Sequence, residues 1–153
     1  MAVENPVSLN FAPQILECLL ANGVIKVEFA APISEGLLEK PIFQKIEIII
    51  SELTDNCQEK GAKEIKITLN NNSLRIEDDV VEDDPEKTLK LLNKILETGE
   101  KTTTKDAMRV AAGCSPGGGV GIAEIVLGSL KNVGGKLEYL IEGGRIVAIA
   151  TWP

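Results

Sequence analysis

Apolar and polar positions first alternate from Val24 to Ala30 (VIKVEFA), with Gly23 before and Pro32 after, which predicts a half-buried strand. Pro13 to Ala21 reads as a short helix. From Pro41 to about Lys60 the period changes: Ile42, Ile46, Ile49, Ile50, Leu53 and Cys57 recur at helical spacing. Pro41 is tolerated in a first turn and Gly61 supplies a stop, so this is the main amphipathic helix. Glu64 to Leu69 and Ser73 to Glu77 alternate again around Asn70-Asn71-Asn72, predicting a hairpin because asparagine tolerates left-handed backbone. Pro85 to Glu97 is a helix capped by Asp84 and stopped at Gly99, and Asp106 to Ala112 a second short one. Val120 to about Leu130 is helical. Lys136 to Ile141 and Arg145 to Trp152 close the chain as a hairpin across Glu142-Gly143-Gly144. This order predicts an α+β fold, a two-layer α/β sandwich with a mixed or antiparallel sheet and helices on one face.

The 153 residues suit a single domain spanning 1–153, because a second core would be too small. With 44% hydrophobic but only 3% aromatic residues, the core must be built from Ile, Leu and Val. A net charge of −7 without a basic cluster argues against nucleic acid or an anionic membrane surface as partner. No apolar run reaches membrane-spanning length, and Met1 to Asn10 lacks the basic flank and apolar core of a signal segment. Cys18, Cys57 and Cys114 fit neither a disulfide framework nor paired zinc spacing, so a reducing cytoplasm is the expected compartment. The chain has 0 histidines, which leaves a carboxylate as the natural general base and removes histidine autophosphorylation.

Two stretches carry candidate chemistry. Glu52 and Asn56 lie four residues apart, about 40° around a helix. They sit at the edge of an apolar arc of roughly 120°. An asparagine carbonyl there is a hard oxygen ligand suited to Mg²⁺, and a carboxylate one turn earlier can activate a water or hydroxyl. Solvated boundary residues would show the same spacing. The second stretch is Gly117-Gly118-Gly119-Val120-Gly121, where each glycine costs roughly 0.5–1 kcal/mol of chain entropy. A turn of bare backbone N–H groups leading into a helix makes a phosphate site; a flexible loop or close helix packing is the alternative. A Rossmann site is excluded, because no buried strand runs directly into Gly117.

Glu52-x-x-x-Asn56 with Gly61 downstream, and Gly117-x-Gly119-Val120-Gly121-Ile122-Ala123 running into Glu124-Ile125-Val126, resemble the N box and second glycine box of the gyrase, histidine-kinase and MutL (GHKL) ATPase superfamily. Length and the closing hairpin are most similar to its anti-sigma-factor serine-kinase branch. The resemblance covers about Val24 to Trp152 and implies a Bergerat-type fold binding ATP and Mg²⁺. By position, it implies Asn56 on Mg²⁺, Glu52 as general base, and the backbone of Gly117, Gly118, Gly119, Val120 and Gly121 on phosphates. Asp78 would receive the adenine amino group, Lys60 would approach the phosphates or else stand as a solvated helix end, Thr102 to Lys105 would touch phosphate or else form a polar loop, and about residues 80–116 would form a lid. The branch also implies a protein partner and a homodimer through the first strand and helix, with residues 1–23 as an N-terminal segment.

One box departs from the family. After Asp78 two spaced glycines are expected, but Val80 and Glu82 stand there, and their side chains would crowd a turn close to the base. Glu77, Asp78, Asp79, Glu82, Asp83, Asp84 and Glu86 also predict a negative patch that would oppose a nucleotide. Two readings follow: an ATP-dependent ATPase or serine/threonine kinase, or a degenerate regulatory module that keeps the fold and acts through protein contacts.

Overall fold

The computed structural model describes residues 17, 19–21, 23–31, 34–98 and 126–153. Five strands, β1 (Lys26–Ala30), β2 (Glu64–Leu69), β3 (Ser73–Asp78), β4 (Lys136–Glu142) and β5 (Arg145–Thr151), form one sheet in the order β1-β2-β3-β5-β4. The β1–β2 pair is parallel and the others antiparallel, so the sheet is mixed. The helices that pack with it include α1 (Glu35–Leu38), α2 (Phe43–Glu59), α3 (Pro85–Thr98) and α4 (Leu127–Lys131). Helix α2 packs on β3, α3 on β4 and β5, and α4 on β4. The α1 turn has no counterpart in the sequence reading, because four residues are too few to display a period.

Register explains the two-layer build. Phe29, Ile67, Ile76, Ala148 and Tyr139 form one row across five strands, and Leu69, Leu74, Ala150 and Leu137 form the next. These side chains share the face that α2 covers with Ile46, Ile49, Ile50, Leu53 and Cys57. Burying each such Ile or Leu is worth about 1.5–3 kcal/mol. The opposite face carries ion pairs, Lys26 with Glu28 and Glu64, Arg75 with Glu77 and Glu142, and Lys136 with Glu138. Exposed pairs contribute about 0–1 kcal/mol, so the covered face dominates stability.

Gly61 ends α2 as expected, with φ +84°. The amide of Gly61 donates to the Gln58 carbonyl and that of Ala62 to the Cys57 carbonyl, a Schellman closure with buried Ala62 beside buried Cys57. Asp84 caps α3, its Oδ1 accepting from the Lys87 amide at 3.1 Å. The Gly143-Gly144 turn has positive φ at both residues, as a tight β4–β5 hairpin requires.

The turn between β2 and β3 departs from expectation in its mechanism. Among the described residues no non-glycine has positive φ, so Asn70, Asn71 and Asn72 do not supply left-handed backbone. Their side chains fasten other segments instead. Asn71 Oδ1 accepts from the Ser34 amide, Asn71 Nδ2 donates to Ser34 Oγ, and Asn72 Nδ2 donates to the Trp152 carbonyl. Trp152 Nε1 in turn donates to the Asn71 carbonyl at 2.6 Å. The first strand also starts at Lys26 rather than Val24, since β2 begins its pairing there, opposite Glu64.

Candidate functional site

Glu52, Asn56 and Lys60 descend one side of α2 toward its C-terminus. Glu52 and Asn56 are half-buried and, among the described residues, their side chains make no hydrogen bond or ion pair. Thr54 is buried on the other edge of the apolar arc, its Oγ1 donating to the Ile50 carbonyl at 2.7 Å. That arrangement leaves the Asn56 amide free to ligate a cation. Among the described residues no cluster of three Cys, Asp or Glu side chains is placed to hold a metal.

Lys60 lies 18 residues beyond Ile42, five full turns, and so continues the centre of the buried row rather than its edge. At the C-cap of α2 the Schellman turn sends the chain into β2, and the hairpin returns it along β3 to Asp78. Lys60 and Asp78 therefore meet at one end of the helix–sheet layer. Lys60 Nζ lies 3.1 Å from Asp78 Oδ2 and 3.5 Å from Glu82 Oε2. Their side chains are 16%, 1% and 13% exposed respectively.

Asp78 is buried because β3 alternates: Leu74, Ile76 and Asp78 all face the core. Its Oδ1 accepts from the Val80 amide at 2.9 Å. Cys57 lies beside it; burial first, then the Asp78 charge, pushes the Cys57 thiol well above its ordinary range. Burial is the largest influence and tends to lower the Lys60 ammonium, but the charge and hydrogen bond of Asp78, together with Cys57 and Glu82, outweigh it and hold Lys60 above its usual value. Lysine is thus firmly cationic between two carboxylates, and the triad carries one net negative charge. Glu82 Oε1 accepts from Thr88 Oγ1 at 3.0 Å, whereas Glu82 Oε2 is buried without a hydrogen-bond donor despite its charge contact with Lys60. Among the described residues Tyr139 Oη is likewise buried without a partner, and burial pushes its phenol upward.

The anticipated negative patch takes a different form. Glu77 pairs with Arg75, Asp78 and Glu82 with Lys60, and Asp84 caps a helix. Asp79 Oδ1 accepts from the Lys63 and Glu64 amides at 2.9 and 3.2 Å; partial desolvation opposes ionisation, but these bonds hold Asp79 below the usual carboxylate range. Most of the acidic run is therefore spoken for by specific donors. Val80 packs on the core, and the Glu82 amide donates to the Gly144 carbonyl at 2.8 Å, tying the segment after β3 to the β4–β5 turn.

Gly117, Gly118, Gly119, Val120 and Gly121 lie outside the described residues, as do Thr102 to Asp106, Cys18 and Cys114. The expected helix over Asp106 to Ala112 and the start of that over Val120 to Leu130 fall there too. Sequence reasoning placed Lys60 and Asp78 in the site but did not pair them. Two signals were available, the inward alternation of β3 and the five-turn spacing from Ile42. It named Glu82 as a departure from the glycine pattern and as part of the acidic run, without pairing it with Lys60.

Comparison with solved structures matches this arrangement to the catalytic domain of histidine kinase ThkA in a nucleotide-free form, with a TM-score of 0.60 and 19% identity over 95% of this chain and 92% of that one. The fold is that of histidine-kinase catalytic domains. A second nucleotide-free form of ThkA matches at TM-score 0.52 and 16% identity, covering 92% and 87% of the two chains. The blue-light activated histidine kinase of Erythrobacter litoralis matches through its kinase domain at TM-score 0.50 and 14% identity, with 94% of this chain aligned to 58% of that one. No protein-family model and no curated protein sequence matches the chain. Within the histidine-kinase-like fold, α2 carries Glu52 and Asn56, and β3 ends at Asp78. Among the described residues no helix is long and apolar enough to cross a membrane.

Proposed function

We propose that this chain is an adenine-nucleotide-binding domain that takes Mg²⁺-ATP at the C-terminal end of α2. The reading is carried by one observation: in a histidine-kinase-like fold, the buried carboxylate of Asp78 stands beside the helix that bears Glu52 and Asn56. Asp78 would accept the adenine amino group, Asn56 would ligate Mg²⁺, and the backbone of Gly117 to Gly121 would hold phosphates. Magnesium would neutralise phosphate charge beside a triad that is itself negative. Glu52, one turn before Asn56, is the group available to take a proton from water or from a serine or threonine hydroxyl of a protein partner. Sequence resemblance favours the anti-sigma-type serine/threonine kinase, acting as a cytoplasmic homodimer, over a plain ATPase.

A second reading has its own observation. Val80 and Glu82 replace the glycines after Asp78, and Lys60 already pairs with that carboxylate. A degenerate regulatory module that binds a protein and no nucleotide would tolerate both features.

Thermal unfolding with and without Mg²⁺-ADP separates the two. Ligand at a hundred times its Kd adds about 2.7 kcal/mol, which raises Tm by roughly 5–10 °C for a domain of this size. The shift is expected in the native chain and absent in Asn56→Ala and Gly119→Val. No shift at millimolar nucleotide in the native chain would establish the degenerate reading.

A further inference from the structure

We infer that the Lys60–Asp78 ion pair is a latch on the base-binding carboxylate, opened by an anion on the incoming ligand, so that the site selects nucleotides over nucleosides. The inference rests on the nucleotide reading above. Asp78 has Val80 N–H on Oδ1, Lys60 Nζ on Oδ2 and Cys57 alongside, so its acceptor capacity is largely taken. A neutral exocyclic amine competes poorly for that oxygen, since charge-assisted hydrogen bonds are about twice as strong as neutral ones. Displacing Lys60 into a half-dry site without a new counter-charge is unfavourable as well. A ligand bearing phosphate removes this obstacle. Lys60 sits four residues from Asn56 on the same side of α2, about 6 Å along the axis, so one flexible side chain reaches either Asp78 or an anion beside Asn56.

Glu82 sets how firmly the latch is held. Its Oε2 attracts the same ammonium at 3.5 Å and is buried without a hydrogen-bond donor. Base and phosphate recognition are thereby coupled through Lys60: each is weak alone and strong when both are on one molecule.

Calorimetric titration with Mg²⁺-ADP and with adenosine tests this in the native chain, in Lys60→Met and in Glu82→Gln. The native chain should prefer Mg²⁺-ADP strongly. In Lys60→Met, adenosine should bind tighter and Mg²⁺-ADP weaker, so that the preference shrinks by a coupling factor of ordinary size, roughly 5–150-fold. Glu82→Gln keeps Lys60 and Asp78 and should tighten both ligands, which serves as the test if Lys60→Met does not fold. Native binding of Mg²⁺-ADP with an unchanged preference in Lys60→Met, or in its place weaker binding of both ligands to Glu82→Gln, overturns the latch while the nucleotide reading stands. Absence of Mg²⁺-ADP binding to the native chain and both variants overturns the two together.

Discussion

Lys60 Nζ stands 3.1 Å from Asp78 Oδ2, joining the C-cap of the long helix to the last residue of the central strand. Both charges are out of water, with side-chain exposures of 16% and 1%. Removing one partner of such a pair leaves an uncompensated buried charge and costs about 3–5 kcal/mol. Lys60→Met and Asp78→Asn should each show that loss in urea unfolding. The double variant should lose less than the sum, with an interaction energy of about 0.5–3 kcal/mol, and strict additivity would show that the pair is not formed in solution.

Stability should fall on the alkaline side in steps with known signs. Folding raises the Cys57 thiol, so the native state holds its proton more tightly than the unfolded chain. That stabilisation is complete below the unfolded cysteine value of about 8.5 and declines as pH rises above it. Tyr139 and Lys60 are raised too and extend the decline beyond about pH 10. Asp79 is depressed and acts oppositely, its contribution being lost as pH falls below about 4. Tm measured from pH 7 to 11 should drop earlier in the native chain than in Cys57→Ala; coincident profiles would mean the thiol is not buried.

Two glycines should fail for different reasons when replaced by alanine. At Gly61 nothing lies within 4 Å of an added Cβ, but φ is +84°, so the cost is the left-handed backbone alone, about 1–2 kcal/mol. At Gly135 the added Cβ would lie 2.5 Å from the Thr151 carbonyl oxygen, and the backbone must move. Overpacking of this kind costs about 1–3 kcal/mol. Asn at position 61 should recover part of the loss and Asn at 135 none, as read by thermal melts.

Glu52→Gln should separate binding from chemistry. The amide keeps the shape of the half-buried side chain but takes no proton. Mg²⁺-nucleotide affinity should stay within a few-fold, while phosphate release or partner phosphorylation falls by about 10²–10⁴-fold. Loss of binding instead would assign Glu52 to the ligand's metal shell.

Local physics made much of this protein legible in its sequence. Strands β2 and β3, the long helix with its Gly61 stop and the Asp84 cap all follow from period and backbone preference, which act over a few residues. Glu52 and Asn56 could be placed on one side of α2 because helical geometry needs only a spacing. Three matters waited for the tertiary structure. The asparagine turn works through side-chain bonds to Ser34 and Trp152, groups 37 and 80 residues away. The acidic run is divided among Lys60, Arg75 and backbone amides, partners that the sheet brings to it. Asp78 is held by Lys60 because the β2–β3 hairpin doubles back onto the helix end. Periodicity says which way a side chain points; only the packing of one element on another decides what it meets there.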